Sequence, residues 1–67
     1  MSNKVRKYRR EQEMSQAELA QRAGVSRLTV SNIERGENNS PTLATAIKIA
    51  TALGHDTSDV FDTKLVN

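Results

Sequence analysis

Each of the three glycines in this chain, Gly24, Gly36 and Gly54, closes a run in which apolar residues recur at spacings of three and four. That spacing lines one face of a helix, and a glycine just past the run supplies the left-handed backbone on which helices commonly end. No stretch alternates long enough for a strand, so the expected fold class is all-α. Val5, Tyr8 and Met14 mark a first helical block, Leu19, Ala20 and Ala23 a second, and Val30 and Ile33 a third. Leu43, Ala46, Ile47, Ala50 and Leu53 mark the fourth and longest, and Val60 with Phe61 a short fifth.

The polar residues between these blocks agree with the same division. Ser15 with Glu18 three residues later is a capping-box pattern, in which hydroxyl and carboxylate satisfy amides left open at a helix start. Ser26 and Thr57 stand where they would cap the third and fifth helices. Ser40-Pro41-Thr42 opens the fourth, proline being tolerated because its missing N–H would lie unpaired there anyway. Glu37 to Ser40 reads as a polar loop, and His55, directly after Gly54, as an exposed helix-end residue.

At 67 residues the chain has room for one small domain, expected over 1–67, and a chain of that size must build its core from short, tightly packed elements. It has no cysteine, which removes disulfides and thiolate metal sites and permits a reducing, cytoplasmic setting. Neither a signal-peptide stretch nor the roughly 18 consecutive apolar residues of a membrane span occurs, so no membrane role is expected. One histidine and scattered carboxylates, without a Gly-rich phosphate cradle or HExxH, Walker or metal spacing, argue against an enzyme, a metal, a cofactor or a small-molecule ligand.

Charge is distributed unevenly. The formal net charge is +2, but up to Arg35 eight Lys or Arg face four Glu, and beyond it two Lys face one Glu and three Asp. A basic face toward a polyanion fits that asymmetry, as does simple solubility. The first helix alone holds Lys4, Arg6, Lys7, Arg9 and Arg10, a run suited either to lie beside a duplex or to keep the surface soluble.

From Gln16 to Ile33 the spacing becomes specific. Two short helices crossing steeply across a tight turn leave room only for a small side chain at Ala20 and for a glycine-like conformation at Gly24, with Val30 plugging the contact from the third helix. With Gln16 at the start of the second helix, Ile33-Glu34-Arg35-Gly36 closing the third and Leu43 to Leu53 as the fourth, the chain resembles the helix-turn-helix proteins of the lambdoid phage repressor and Cro family. The likeness runs over roughly residues 3 to 62, with the helix-turn-helix at about 16–35.

The resemblance implies a compact five-helix bundle whose third helix enters the major groove of double-stranded DNA. Base-reading candidates are Arg27, Leu28, Thr29, Ser31 and Asn32: Arg27 suits guanine O6 and N7, Asn32 adenine N6 and N7, and Leu28 a thymine methyl. Gln16, Ser26, the amide of Gly36, Asn38 and Asn39 are the DNA-backbone candidates. The resemblance also implies an Arg9–Glu34 ion pair, partly buried between the first and third helices. Two departures from the family stand out: the loop after the third helix lacks its usual Lys or Arg, and Glu13 occupies a position where many relatives carry the glycine that ends the first helix.

The function so implied is a transcriptional regulator, a repressor reading an inverted-repeat operator as a homodimer. The contact between copies is expected at the end of the chain, through Phe61, Leu65 and Val66, with residues 63–67 at the interface; the alternative is that Val60 and Phe61 close the core of a single copy. The competing function is a protein-interaction module, such as an antitoxin or adaptor subunit, that keeps the fold.

Overall fold

The computed structural model describes residues 3–36 and 41–61. Among them are five helices: α1 (Val5–Glu11), α2 (Gln16–Ala23), α3 (Arg27–Glu34), α4 (Leu43–Leu53) and α5 (Thr57–Val60). α2 packs on both α3 and α4, α1 bridges α3 and α4, and α5 rests on α4. The two ends of the described chain meet in one antiparallel bridge between Asn3 and Phe61, beside a 2.9 Å bond from the Lys4 amide to the Val60 carbonyl.

Local chemistry accounts for the helix boundaries. The Ser15 hydroxyl accepts from the Glu18 amide at 3.0 Å while the Glu18 carboxylate accepts from the Ser15 amide at 3.2 Å, completing the capping box. Ser26 caps α3 and Thr42 caps α4, each through its hydroxyl. Pro41 therefore lies one residue before the cap, outside the first turn, and it is buried. α5 begins one residue earlier than expected: Asp56 is its N-cap, without a side-chain cap bond, and Thr57 is the first helical residue.

Three turns share one geometry. After α2 and α4, Gly24 at φ +72° and Gly54 at φ +75° reverse the chain, and the next amides, of Val25 and His55, close back onto the carbonyls of Ala20 and Ala50 at 3.0 and 3.1 Å. After α1 the same closure occurs from Met14 to Arg9 at 3.1 Å, but the left-handed residue is Glu13, at φ +56°. A side chain with a Cβ in that conformation costs about 1–2 kcal/mol relative to glycine. The departure visible in the sequence is thus a real backbone strain.

The core gathers one or more residues from every helix: Val5 of α1, Leu19, Ala20 and Ala23 of α2, Val30 and Ile33 of α3, and Val60 of α5, joined by Met14 and Phe61. From α4 come Ala46, Ile49, Ala50 and Leu53. The expected α4 stripe is therefore rotated: Ile49 is fully buried, whereas Leu43 and Ile47 are 53% and 47% exposed. Ile47 and Ile49 project about 200° apart at 100° per residue, and with apolar residues on both sides only the packing partners choose between them. His55 also differs from expectation. It is half-buried, its ring stacked on Tyr8 with centroids 3.8 Å apart. Among the described residues no helix is long and apolar enough to cross a membrane, and no group of three or more His, Cys, Asp or Glu is placed to hold a metal ion.

Candidate nucleic-acid interface

α3 is the element on which the sequence places the most function, and its setting begins with the turn before it. Gly24 ends α2, and Ser26 follows in an extended conformation at φ −76° and ψ 153°. The Ser26 hydroxyl accepts from the Thr29 amide at 3.1 Å and shares a 2.8 Å bond with the Thr29 hydroxyl. α3 therefore starts abruptly and leaves its first turn at the surface.

Val30 and Ile33 are fully buried, which turns the opposite side of α3 outward. Arg27 and Leu28 are exposed, and Thr29, Ser31 and Asn32 half-buried; Leu28, at 64%, is the most exposed large apolar side chain among the described residues. Two of these five have polar partners already. Thr29 is bound into the Ser26 cap, and Asn32 accepts from an Arg35 Nη at 3.0 Å. Arg27, Leu28 and Ser31, with the amide nitrogen of Asn32, make up the outward polar and apolar set.

The rear of α3 is tied by polar bonds that converge on Glu34. Arg9 donates from Nε to one carboxylate oxygen at 2.6 Å and from Nη2 to the other at 3.0 Å, and its remaining Nη1 reaches the Met14 carbonyl at 2.7 Å. Gln16 adds a 3.2 Å bond from Nε2, and Arg6 a 3.3 Å bond from Nε. The Glu34 side chain is wholly covered and that of Arg9 is 11% exposed. Burial alone opposes ionisation of Glu34, but the bonds from Arg9, Gln16 and Arg6 outweigh it and hold the carboxyl below its ordinary range. The hydrogen bond to Glu34 in turn raises Arg9, against some desolvation.

Among the backbone candidates, Gln16 and Ser26 stand at the starts of α2 and α3. Gly36 does not offer a free amide: it lies at φ +77° and its N–H closes onto the Ile33 carbonyl at 3.1 Å, serving the end of α3. Phe61 is 1% exposed, so its side chain belongs to the core of one copy and not to the surface expected for a partner. Asn38, Asn39, Leu65 and Val66 lie outside the described residues.

Sequence reasoning missed four ties. Asn3 donates from Nδ2 to the Ile33 carbonyl at 3.0 Å and accepts from the Val5 amide at 3.1 Å. Gln12 donates to the Leu53 carbonyl at 2.6 Å, and Tyr8 stacks on His55. Only the Asn3–Val5 bond had a local signal, an asparagine two residues ahead of a helical run; the others join residues far apart in the chain. Electrostatically, exposed Lys4, Arg6, Lys7 and Arg10 lie on or beside α1 and Arg27 on α3, whereas Asp56 and Asp59 gather at α5.

The helix-turn-helix family model matches residues 5–60. The chain is 41% identical over 61 residues, 91% of both chains, to an uncharacterised HTH-type transcriptional regulator of Methanocaldococcus jannaschii, and equally identical over 61 residues to YgzD, likewise an uncharacterised HTH-type transcriptional regulator, of Bacillus subtilis, again covering 91% of each. Among solved structures, the restriction-modification controller protein C.AhdI of Aeromonas hydrophila superposes with a TM-score of 0.79 at 34% identity, over 87% of this chain and 86% of that one. SinR of Bacillus subtilis, the master regulator for biofilm formation, solved in complex with DNA, superposes with a TM-score of 0.78 at 31% identity, over 82% of this chain and 87% of its own.

Proposed function

The chain belongs to the helix-turn-helix family, and from that premise we propose that it is a sequence-specific, double-stranded-DNA-binding transcriptional regulator, a repressor that binds by placing α3 in the major groove. The observation that carries this reading is the two-sidedness of α3. Val30, Ile33 and Glu34 hold it from behind, while Arg27, Leu28 and Ser31 point away from the core together with Asn32. That outward set matches the donor, acceptor and methyl pattern of base edges. SinR, a structure in complex with DNA, superposes over most of the chain, which supports the same placement. The role is binding without catalysis or cofactor, exercised in the cytoplasm by a single domain.

One helix covers only a few base pairs. Two copies related by a two-fold axis would set their α3 helices about 34 Å apart, one turn of DNA, and read an inverted repeat. With Phe61 in the core, Leu65 and Val66 in segment 63–67 are the surface proposed for that contact.

Selection of bound duplexes from a random pool, followed by sequencing, tests the function. An inverted repeat with half-sites one helical turn apart is the expected outcome. Absence of any enriched sequence would overturn the reading and favour the protein-interaction module. Sedimentation at micromolar concentration, with and without residues 63–67, tests the assembly: the intact chain should dimerise and the truncated one should not.

A further inference from the structure

Glu34 carries more donors than its charge requires. Arg9 alone neutralises it and occupies both oxygens in a fork, the strong geometry for this pair. Arg6 is a second cation on the same carboxylate, and it is held differently. It reaches Oε1 through Nε only, at 3.3 Å, and its side chain is 50% exposed. Among the described residues both Nη groups of Arg6 lack a partner. An exposed ion pair of this kind is weakly held.

The oxygen that Arg6 touches is also the one that Gln16 touches, at 3.2 Å. The two side chains therefore meet at a single atom, one from the first turns of α1 and the other from the start of α2. We infer that Arg6, which meets the backbone candidate Gln16 at this atom, receives a phosphodiester group of the DNA backbone, transferring its guanidinium from Glu34 to the phosphate on binding. The inference rests on the DNA-binding reading above and names a contact within it.

The exchange leaves nothing stranded. When Arg6 departs, Glu34 keeps Arg9 on both oxygens and Gln16 on one, so no buried carboxylate loses its counter-charge. The amide of Gln16 has a second N–H to give, since Glu34 takes only one. Arg9 has no such freedom, because its guanidinium is bound to Glu34 and to the Met14 carbonyl and its side chain is almost covered. Of the two arginines on this carboxylate, Arg6 is thus the phosphate ligand and Arg9 the fixed strut.

The salt dependence of affinity reads this contact directly. Each neutralised phosphate contributes about 0.9 to the slope of log affinity against log salt. Wild type, Arg6→Gln and Arg6→Lys would be titrated with the duplex enriched by wild type, between about 50 and 200 mM salt, with thermal melts confirming that each is folded. Arg6→Gln should flatten the slope by about one and weaken binding alike on enriched and unrelated duplexes, leaving base preference unchanged. Arg6→Lys, which keeps the charge, should retain the slope. A wild-type slope in folded Arg6→Gln would overturn the inference while the DNA-binding reading stands. If wild type itself bound no DNA, both would fall together.

Discussion

α3 and α4 run side by side in the chain and are held in place by different physics. α4 is seated chiefly by four small or branched apolar residues, Ala46, Ile49, Ala50 and Leu53, packed against three other helices, with a single side-chain bond, from Gln12, to the carbonyl of its last residue. α3 has only Val30 and Ile33 fully buried, and polar bonds from Asn3, Arg9, Gln16 and Arg6 complete its attachment. Apolar packing sets how deeply a helix sits, since it has no direction of its own. Hydrogen bonds are directional, so bonds to the end of a helix also fix its rotation about its axis. A helix that must offer one defined face to a groove needs that second kind of restraint, and α3 has it at its C-terminal end.

The sharpest way to break this contrast is through the two isoleucines of α4. Ile49→Ala should cost about 2–5 kcal/mol by leaving a cavity in a closed core, a large share of what so small a domain holds. Ile47→Ala, on the exposed side, should change stability by no more than about 0.5 kcal/mol. Thermal melts of both variants measure this, and equal losses would contradict the observed rotation of α4.

On α3 the corresponding change is Arg9→Ala, which strands the covered Glu34 carboxylate. Breaking a buried pair costs on the order of 3–5 kcal/mol, and the low end is expected because Arg6 and Gln16 still reach Glu34. The pair also carries a pH signature. Because the folded-state value of Glu34 is lowered, its contribution is complete above the unfolded value of about 4.3 and is lost as pH falls through the lower folded value. Melting temperature followed from pH 7 into that acid range should therefore fall less steeply in Glu34→Gln than in wild type.

The outward side of α3 should show the reverse profile, with large effects on binding and small ones on stability. Arg27→Ala and Asn32→Ala are each expected to lose about 1–3 kcal/mol on the enriched duplex and to relax preference at one base position per half-site. Their melts should stay within about 0.5 kcal/mol of wild type. Wild-type affinity in both would remove α3 as the reading helix.

The smallest effect expected is a gain. Glu13→Gly should relieve the left-handed strain after α1, and part of that relief is offset by the greater freedom of glycine in the unfolded chain. A rise of about 0.5–1 kcal/mol in a denaturant titration is the expected result. Ala substituted at Gly24 should move stability the other way: a Cβ there meets nothing within 4 Å, so φ +72° alone opposes it.

Much of the fold and of the candidate interface was legible in the chain itself. Helix spacing, the glycine stops, the Ser15–Glu18 box and the Ser26 cap are short-range chemistry, fully written in neighbouring residues. The orientation of α3 followed as well, because Val30 and Ile33 leave only one side for Arg27, Leu28, Ser31 and Asn32. Glu13 stood out only through the resemblance, as a side chain where many relatives carry glycine, and the backbone there is left-handed. The partnership of Arg9 with Glu34 was reached by resemblance, since nothing local links residues 25 apart.

What the tertiary structure alone decided is of a different order. Apolar residues surround much of α4, so periodicity admitted two stripes, and the helices packed against it chose the one containing Ile49. The stacking of His55 on Tyr8, the bond from Asn3 to Ile33 and the convergence of Arg6 and Gln16 on one Glu34 oxygen depend on elements meeting in space. Local spacing specifies where a helix starts, stops and is apolar, because those are interactions within a turn or two; which of its faces is covered, and which side chains share an atom, is set by neighbours that the spacing does not encode.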